Sequence, residues 1–392
     1  MQSAIESIES KEKSGKVPEQ NSREEIQEGK KPIFPRNPSF PALHRGLTVK
    51  YDSARGRHVV ASEHIKCGTY LALEVGDIHP PTVYLRLVCF QEPIVSYLWS
   101  ECLASHCSYC LGTVTAPVPC FTCSLVIFCS EQCRLLANKT FHQYECKAVE
   151  AMTSMYQNIF VAYRAISQRP LKYFLEHQKM FSHYDRHRGG GCYDYDYETD
   201  SEDDDDCETD PDSEDESHEL GRPYMSDDYQ NLYNLVTHSD KSSEADHLAF
   251  ATSASLMLFY LKINNYFGSN ASRESDRELN ESESLIGRLL YHLLEVVLYN
   301  GQDICQAAAW SVENGLTVSS IGTSVNTTLA MFNHSCAPNT TRANIGASTV
   351  LVATEDIRKG QEVMNYYTIQ YHDKILTTRQ PFLRDHYKFE CR

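Results

Sequence analysis

Cys107-Ser108-Tyr109-Cys110, Cys120-Phe121-Thr122-Cys123, Cys129-Ser130-Glu131-Gln132-Cys133 and His142-Gln143-Tyr144-Glu145-Cys146 follow one another within 40 residues. Seven cysteines and one histidine make eight candidate ligands, enough for two tetrahedral zinc ions. A Cys-x2-Cys step lets both thiolates reach one metal from a tight turn. The Cys-x3-Cys and His-x3-Cys steps are one helical turn, so each pair projects from a single face. The natural pairing is interleaved, with Cys107, Cys110, Cys129 and Cys133 on one ion and Cys120, Cys123, His142 and Cys146 on the other. A disulfide knot is the competing reading, and four correctly spaced pairs in succession argue against it. Cys102 falls outside the pattern.

The surrounding chain supports a metal over a disulfide. It has 392 residues, two or three folding units at roughly 150 residues each. Fifteen cysteines are many, yet the first 30 residues are polar and do not read as a secretory signal. A reducing compartment, nucleus or cytoplasm, is therefore expected, and disulfides are disfavoured there. The net charge of −17 comes from one tract: 16 of the 53 Asp and Glu lie between Gly189 and Glu219, with no Lys or Arg among them. Removing them leaves 37 acidic against 36 basic residues, a body near −1. No basic stripe remains to hold a phosphate backbone, so direct nucleic-acid binding is not expected. No apolar run approaches the length of a membrane span.

Outward from the cysteine cluster, residues 1–31 read as a disordered lead-in. Strand-like runs occur at His58–Ala61 and Thr69–Leu73. Apolar spacing is helical from Glu131 to about Tyr173, with Met152, Met155, Ile159, Ala162 and Ile166 on one face. It is helical again from about Asp246 to Phe267, and most strongly from Leu285 to Val297. Short strands and turns are expected after Asn300. The run Ala61-Ser62-Glu63-His64-Ile65-Lys66-Cys67-Gly68 echoes Ala353-Thr354-Glu355-Asp356-Ile357-Arg358-Lys359-Gly360. Each reads as a strand, a turn closed by Gly, and another strand, which suggests one β-rich domain split by an insertion.

Three C-terminal stretches carry the remaining chemistry: Asn333-His334-Ser335-Cys336-Ala337-Pro338-Asn339, then Gly360-Gln361-Glu362-Val363-Met364-Asn365-Tyr366-Tyr367, then Tyr387-Lys388-Phe389-Glu390-Cys391. In this order they resemble the SET methyltransferase core, and the cysteine spacing resembles the MYND zinc finger. Together the chain resembles the SET and MYND (Smyd) family of protein-lysine methyltransferases. Its Gly56-Arg57-His58 opening is most similar to the branch that carries an N-terminal helical-repeat extension.

The resemblance implies an α+β fold: a β-rich split SET domain with an inserted MYND finger, a helical insert and a disordered acidic loop. The expected division is 45–106 for the first part of SET, 107–146 for the finger, and 147–188 for a helical segment. An acidic insertion at 189–245, a helical insert at 246–300, core SET at 301–375 and a post-SET segment at 376–392 complete it. The run Gly76 to Gln91 has no counterpart in relatives. The resemblance also implies S-adenosylmethionine bound by Gly56, Arg57, His58, Asn333, His334 and Phe389. It gives Tyr367 as the catalytic tyrosine, with Tyr387 and Asn300 in the lysine channel. Relatives add further cysteines at this end, so Cys336 and Cys391 are expected as two ligands of an incomplete third zinc site at a truncated post-SET end. The partners implied are a protein carrying the target lysine, histone or otherwise, and Pro-rich peptides for the finger, with the chain itself a monomer.

The chemistry can be argued separately. Methyl transfer from a sulfonium to an amine is an in-line displacement. It needs a neutral amine, whereas free lysine has a pKa of about 10.4. A narrow aromatic channel beside a positive sulfonium disfavours the ammonium. A tyrosine hydroxyl and backbone carbonyls can then aim the lone pair. The alternative is a non-catalytic adaptor that recruits partners through its finger in transcriptional regulation.

Overall fold

Leu47 and Val49 alternate with polar neighbours, and this pattern makes β1 (Leu47–Asp52) a half-buried strand. Asp52 Oδ1 accepts the Ala54 and Arg55 N–H groups, turning the chain into β2 (Gly56–Ala61), which runs antiparallel to β1. The structure is a computed structural model and describes residues 34–74, 94–153, 158–181, 223–272, 278–311, 315–368, 370–371 and 374–391. The lead-in 1–31, the run Gly76 to Gln91 and the acidic tract 189–219 lie outside the described residues.

Two sheets join the halves of the chain. β3 (Tyr70–Glu74) pairs with β10 (Ser348–Ala353), which also pairs with β9 (Thr340–Ile345). β4 (Val95–Leu98) pairs with β8 (Gly315–Val325), which pairs with β7 (Gly301–Ser311). The fold is α+β, as expected, with β-rich halves split by an insertion. The strands after Asn300 differ from expectation: β7 and β8 form a hairpin of 11 residues a side rather than short strands.

The sequence echo is a structural one. The two turns do not form separate hairpins, because the strands they join belong to different sheets. They pair with each other about an approximate two-fold axis. Ile65 and Ile357 exchange both backbone bonds, at 2.9 and 2.8 Å. Gly68 N–H donates to the Ala353 carbonyl at 2.8 Å, and Gly360 N–H donates to the Ala61 carbonyl at 2.7 Å. Both glycines hold the left-handed backbone, φ +83° and +82°, that a side chain disfavours.

The insertion carries its own core. β5 (Val118–Pro119), β6 (Ile127–Phe128), α1 (Glu131–Lys139) and α2 (His142–Glu145) build the cysteine-rich module. The helical run expected from Glu131 to Tyr173 is broken into short helices: α3 (Val149–Thr153), α4 (Asn158–Ser167) and α5 (Leu171–Glu176) follow, with Pro170 opening the last. Residues 189–245 were expected as one acidic insertion, and 223–245 depart from that. Tyr224, Tyr229, Leu232, Tyr233 and Leu235 are buried, and α6 (Tyr229–Tyr233) forms on an Asp228 cap, because this tail regains the apolar area the tract lacks. Two long helices complete the insert. α7 (Glu244–Ile263) starts on a Ser243/Asp246 capping box, and α8 (Glu281–Asn300) on an Asn280/Glu283 box. Leu285, Leu289, Leu293 and Val296 of α8 pack with Leu258 and Leu261 of α7 and with Val161 and Ala165 of α4 in one core. A second core, around Val59, Leu71, Phe332, Leu351 and Val363, lies beneath the C-terminal segments. α9 (Leu376–Tyr387) brings the last residues back to it.

Candidate active site and metal centres

The eight finger ligands form the two interleaved quartets. Cys107, Cys110, Cys129 and Cys133 converge, and so do Cys120, Cys123, His142 and Cys146, all ligand atoms within 4.8 Å of one another. Cys110 and Cys129 sulfurs are 3.7 Å apart, Cys120 and Cys146 sulfurs 3.9 Å, and His142 Nε2 is 3.7 Å from Cys123 Sγ. Thiolates on a tetrahedral zinc with bonds of about 2.3 Å sit roughly 3.8 Å apart, so these quartets fit zinc. All seven are free thiols. The Ser130 side chain caps α1 by accepting the Cys133 N–H, which aims that thiol.

A single guanidinium ties both quartets to the rest of the molecule. Arg164 on α4 is buried and makes a fork on Glu145, at 2.9 and 2.7 Å. Glu145 lies between the ligands His142 and Cys146. The same guanidinium donates to the Ser108 carbonyl at 3.3 Å, inside the Cys107–Cys110 turn, and to the Ser96 carbonyl of β4 at 3.1 Å. The rings of Tyr97 and Phe141 cover it, with centroids 4.4 and 3.8 Å away. The finger is thus fixed to the split domain rather than tethered to it.

Asn333–Cys336 and Glu362–Tyr367 lie side by side. Asn365 N–H donates to the Asn333 carbonyl at 2.9 Å, and Ser335 N–H donates to the Asn365 carbonyl at 2.8 Å, a parallel bridge. The Tyr367 N–H donates to His334 Nδ1 at 3.0 Å. Burial, with the charge of Arg379, pushes the His334 pKa down to about 4, so its ring is neutral near pH 7. Nδ1 accepts, hence Nε2 carries the proton and points at Cys336 Sγ, 3.3 Å away. His334, Cys336 and Cys391 do cluster at metal-ligand spacing. In this tautomer His334 offers the cluster a donor and no lone pair. That leaves the Cys336 and Cys391 thiols as the lone-pair donors of this cluster among the described residues.

The aromatic residues gather around Tyr367. Its ring centroid is 5.3 Å from His334, 5.4 Å from Tyr387 and 6.1 Å from Phe389, and Phe389 is 5.7 Å from His334. Burial, the neighbouring Tyr387 phenol and the Glu362 carboxylate hold the Tyr367 pKa well above the ordinary phenol range. The hydroxyl therefore stays protonated as a donor through neutral pH.

The opening turn meets this group through Asn333, whose amide nitrogen donates to the Arg55 carbonyl at 3.3 Å and to Glu362 Oε1 at 3.0 Å. Arg57 reaches the Asn234 carbonyl at 3.3 Å. His58 is buried, and its Nδ1 donates to the Gly56 carbonyl at 3.0 Å, so its ring is engaged within the opening itself. Asn300 donates to the carbonyls of Val296 and Val236, both at 2.8 Å, which makes it a brace for the segment Arg57 also holds.

Sequence reasoning missed that segment, Asn234–His238. His238 sits in a left-handed conformation, φ 48°, edge-on to Tyr299 at 5.0 Å. Burial lowers its pKa, as do the charges of Lys241 and Lys388. The signal was present in the apolar spacing of Tyr229, Leu232, Tyr233 and Leu235. Glu74 was missed too. It is buried at the end of β3, and its Oε1 accepts the Thr328 and Leu329 N–H groups at 2.7 and 3.1 Å, just ahead of Asn333.

The SET domain family model matches residues 56–368 of the chain. Protein-lysine N-methyltransferase SMYD4 of Mus musculus is 23% identical over 365 residues, 86% of this chain and 44% of that protein. SMYD4 of Gallus gallus is 23% identical over 367 residues, 86% of this chain and 47% of that protein. Histone-lysine N-methyltransferase SMYD3 of Homo sapiens is 35% identical over 104 residues, 26% of this chain and 21% of that protein. The chain spans less than half the length of the SMYD4 proteins it matches.

Proposed function

The chain belongs to the SET-domain family, in its SET and MYND group, and from that premise we propose that it transfers a methyl group from S-adenosylmethionine to the side-chain amine of a lysine in a protein. One observation carries the reading. Asn333, His334, Tyr367, Tyr387 and Phe389, drawn from three separate stretches, gather into one aromatic and amide-lined group beside the Gly56–Arg57 opening.

When bound, the cofactor supplies a methyl carbon on a positive sulfur. The residues here suit the rest of the chemistry. Asn333 offers an amide whose nitrogen is already engaged, leaving its oxygen to accept. Phe389 offers a ring face beside His334. Tyr367 and Tyr387 form an apolar pair that disfavours a charged ammonium and favours the free amine. The Tyr367 hydroxyl, held protonated, accepts or donates to aim that amine. A general base of shifted pKa is not required once the amine enters neutral.

The test is methyl transfer from labelled S-adenosylmethionine to a lysine-containing peptide library, with calorimetry of cofactor binding alongside. Labelling by the unmodified chain that falls sharply in Tyr367→Phe supports the reading. A chain that neither binds the cofactor nor labels any peptide overturns it.

A second reading has its own observation. On the finger Phe121 is 73% exposed, with Leu135 and Leu125 also exposed, and Arg134 stacks over the Phe121 ring at 4.4 Å. Such a face suits a short Pro-rich peptide. Fluorescence titration with Pro-rich peptides, unmodified against Phe121→Ala, separates recruitment from catalysis.

A further inference from the structure

Glu362 is in neither the aromatic group nor the opening turn, yet it touches both. Its backbone is fixed first: it bridges Val60 of β2, and its carbonyl accepts from the Asn339 amide at 2.9 Å. The side chain projects from that anchor with both oxygens engaged. Oε1 accepts from Asn333 Nδ2 at 3.0 Å, and Oε2 faces Arg55 Nη1 at 3.4 Å. Arg55 is held in turn by Asp52, through its Nε at 2.6 Å. The orientation of the Asn333 amide follows from this. Two acceptors, the Arg55 carbonyl and the Glu362 carboxylate, face one end of it, so that end must be the NH2. Its Oδ1 has no donor among the described residues.

We propose that Glu362 is a positioning residue for the cofactor: its carboxylate fixes the Asn333 amide so that Oδ1 is presented to the α-ammonium of the bound S-adenosyl amino acid. This rests on the methyltransferase reading and adds a residue to it. An unrestrained asparagine presents NH2 as readily as oxygen, and NH2 repels an ammonium. The carboxylate removes that choice before binding, which is preorganisation.

The contact is to one group of the ligand, so the test removes that group. Calorimetry with the full, zinc-loaded chain compares S-adenosylhomocysteine with its desamino analogue, for the unmodified protein, Glu362→Ala, the volume-keeping Glu362→Met, Asn333→Ala and the Asn333→Ala/Glu362→Ala pair. Losing a charge-assisted hydrogen bond is expected to weaken S-adenosylhomocysteine about tenfold to a hundredfold in either Glu362 variant. The desamino analogue should change by less than about threefold, and Glu362→Ala should add almost nothing once Asn333 is already alanine. Equal losses for both ligands, or additive losses in the pair, overturn the proposal, because a merely structural or purely electrostatic glutamate gives those patterns. Thermal melting identifies which of the two Glu362 variants is folded, and either suffices. Failure of the unmodified chain to bind S-adenosylhomocysteine is a different result: it removes the methyltransferase reading and this inference with it.

Discussion

The finger and the aromatic cleft are both small clusters of side chains, built in opposite ways. The finger draws eight ligands from 40 consecutive residues, and each pair lies one turn apart. The cleft draws on residues near positions 55, 234, 333, 362 and 388, and backbone pairing between distant segments sets its geometry. Chain spacing organises the first, and the fold organises the second. The difference says where each is vulnerable: the finger to loss of its ions, the cleft to loss of single long-range contacts.

Metal removal should give the largest effect. Structural zinc supplies on the order of 10 kcal/mol to so small a module. Chelation is expected to abolish amide protection across 107–146 in hydrogen exchange, while 47–61 and 348–353 keep theirs. Equal loss in both regions would break the contrast. Metal analysis of the untreated chain should return close to two zinc ions for the finger.

The clamp between the regions comes next. Glu145→Ala leaves the Arg164 charge buried without its partner and should cost about 3–5 kcal/mol in denaturant melts. Replacing both, as Arg164→Met with Glu145→Leu, should cost clearly less. If the single and double variants melt alike, the pair does not join the finger to the domain.

In the cleft, the proposed reaction has the Tyr367 hydroxyl aim the amine, so Tyr367→Phe should lower turnover by about a hundredfold or more with little change in melting. A melting change that accounts for the whole loss would make the tyrosine structural.

Glu74 gives a pH signature. Burial raises its pKa to about 7, against the lowering pull of the Thr328 and Leu329 bonds. Unfolded, it titrates near 4.5. Between those values the folded chain holds the extra proton, so its contribution to stability is full below about 4.5 and is lost as pH rises through about 7. Glu74→Gln should flatten that fall. A slope unchanged in the variant assigns it elsewhere.

The smallest expected effect sharpens the two-fold pairing. Gly68→Ala and Gly360→Ala should each cost about 1 kcal/mol, and by similar amounts, because neither added methyl meets an atom and only the left-handed backbone is penalised. Unequal costs would mean that the two turns are alike in outline only.

Much of this was legible in the sequence, and unevenly. The quartets could be read because metal ligands obey local spacing. Asn333, His334, Tyr367, Tyr387 and Phe389 were recognised by their order along the chain, which resembles a known core. The contacts that arrange them left no such trace. Glu74 reads as one acid at a strand end, and nothing local says that it caps a turn 254 residues on. Asn300 was placed in the channel by the resemblance alone, and the bond from its amide to the Val236 carbonyl had no local signal. The ordered tail 223–245 was hidden because a charge run dominates any average taken across it. Strand β1 was passed over although Leu47, Val49 and Tyr51 alternate, since the reading began at the more apolar His58–Ala61 run.

The paired turns at 61–68 and 353–360 act as a clasp. They close the ends of the split domain on each other, whatever length of chain hangs between them. Finger, acidic tract and long helices are then cargo on a loop whose neck is already shut. Length can change within that loop without opening the neck, so long as the 234–238 and 333–336 segments still reach the cleft.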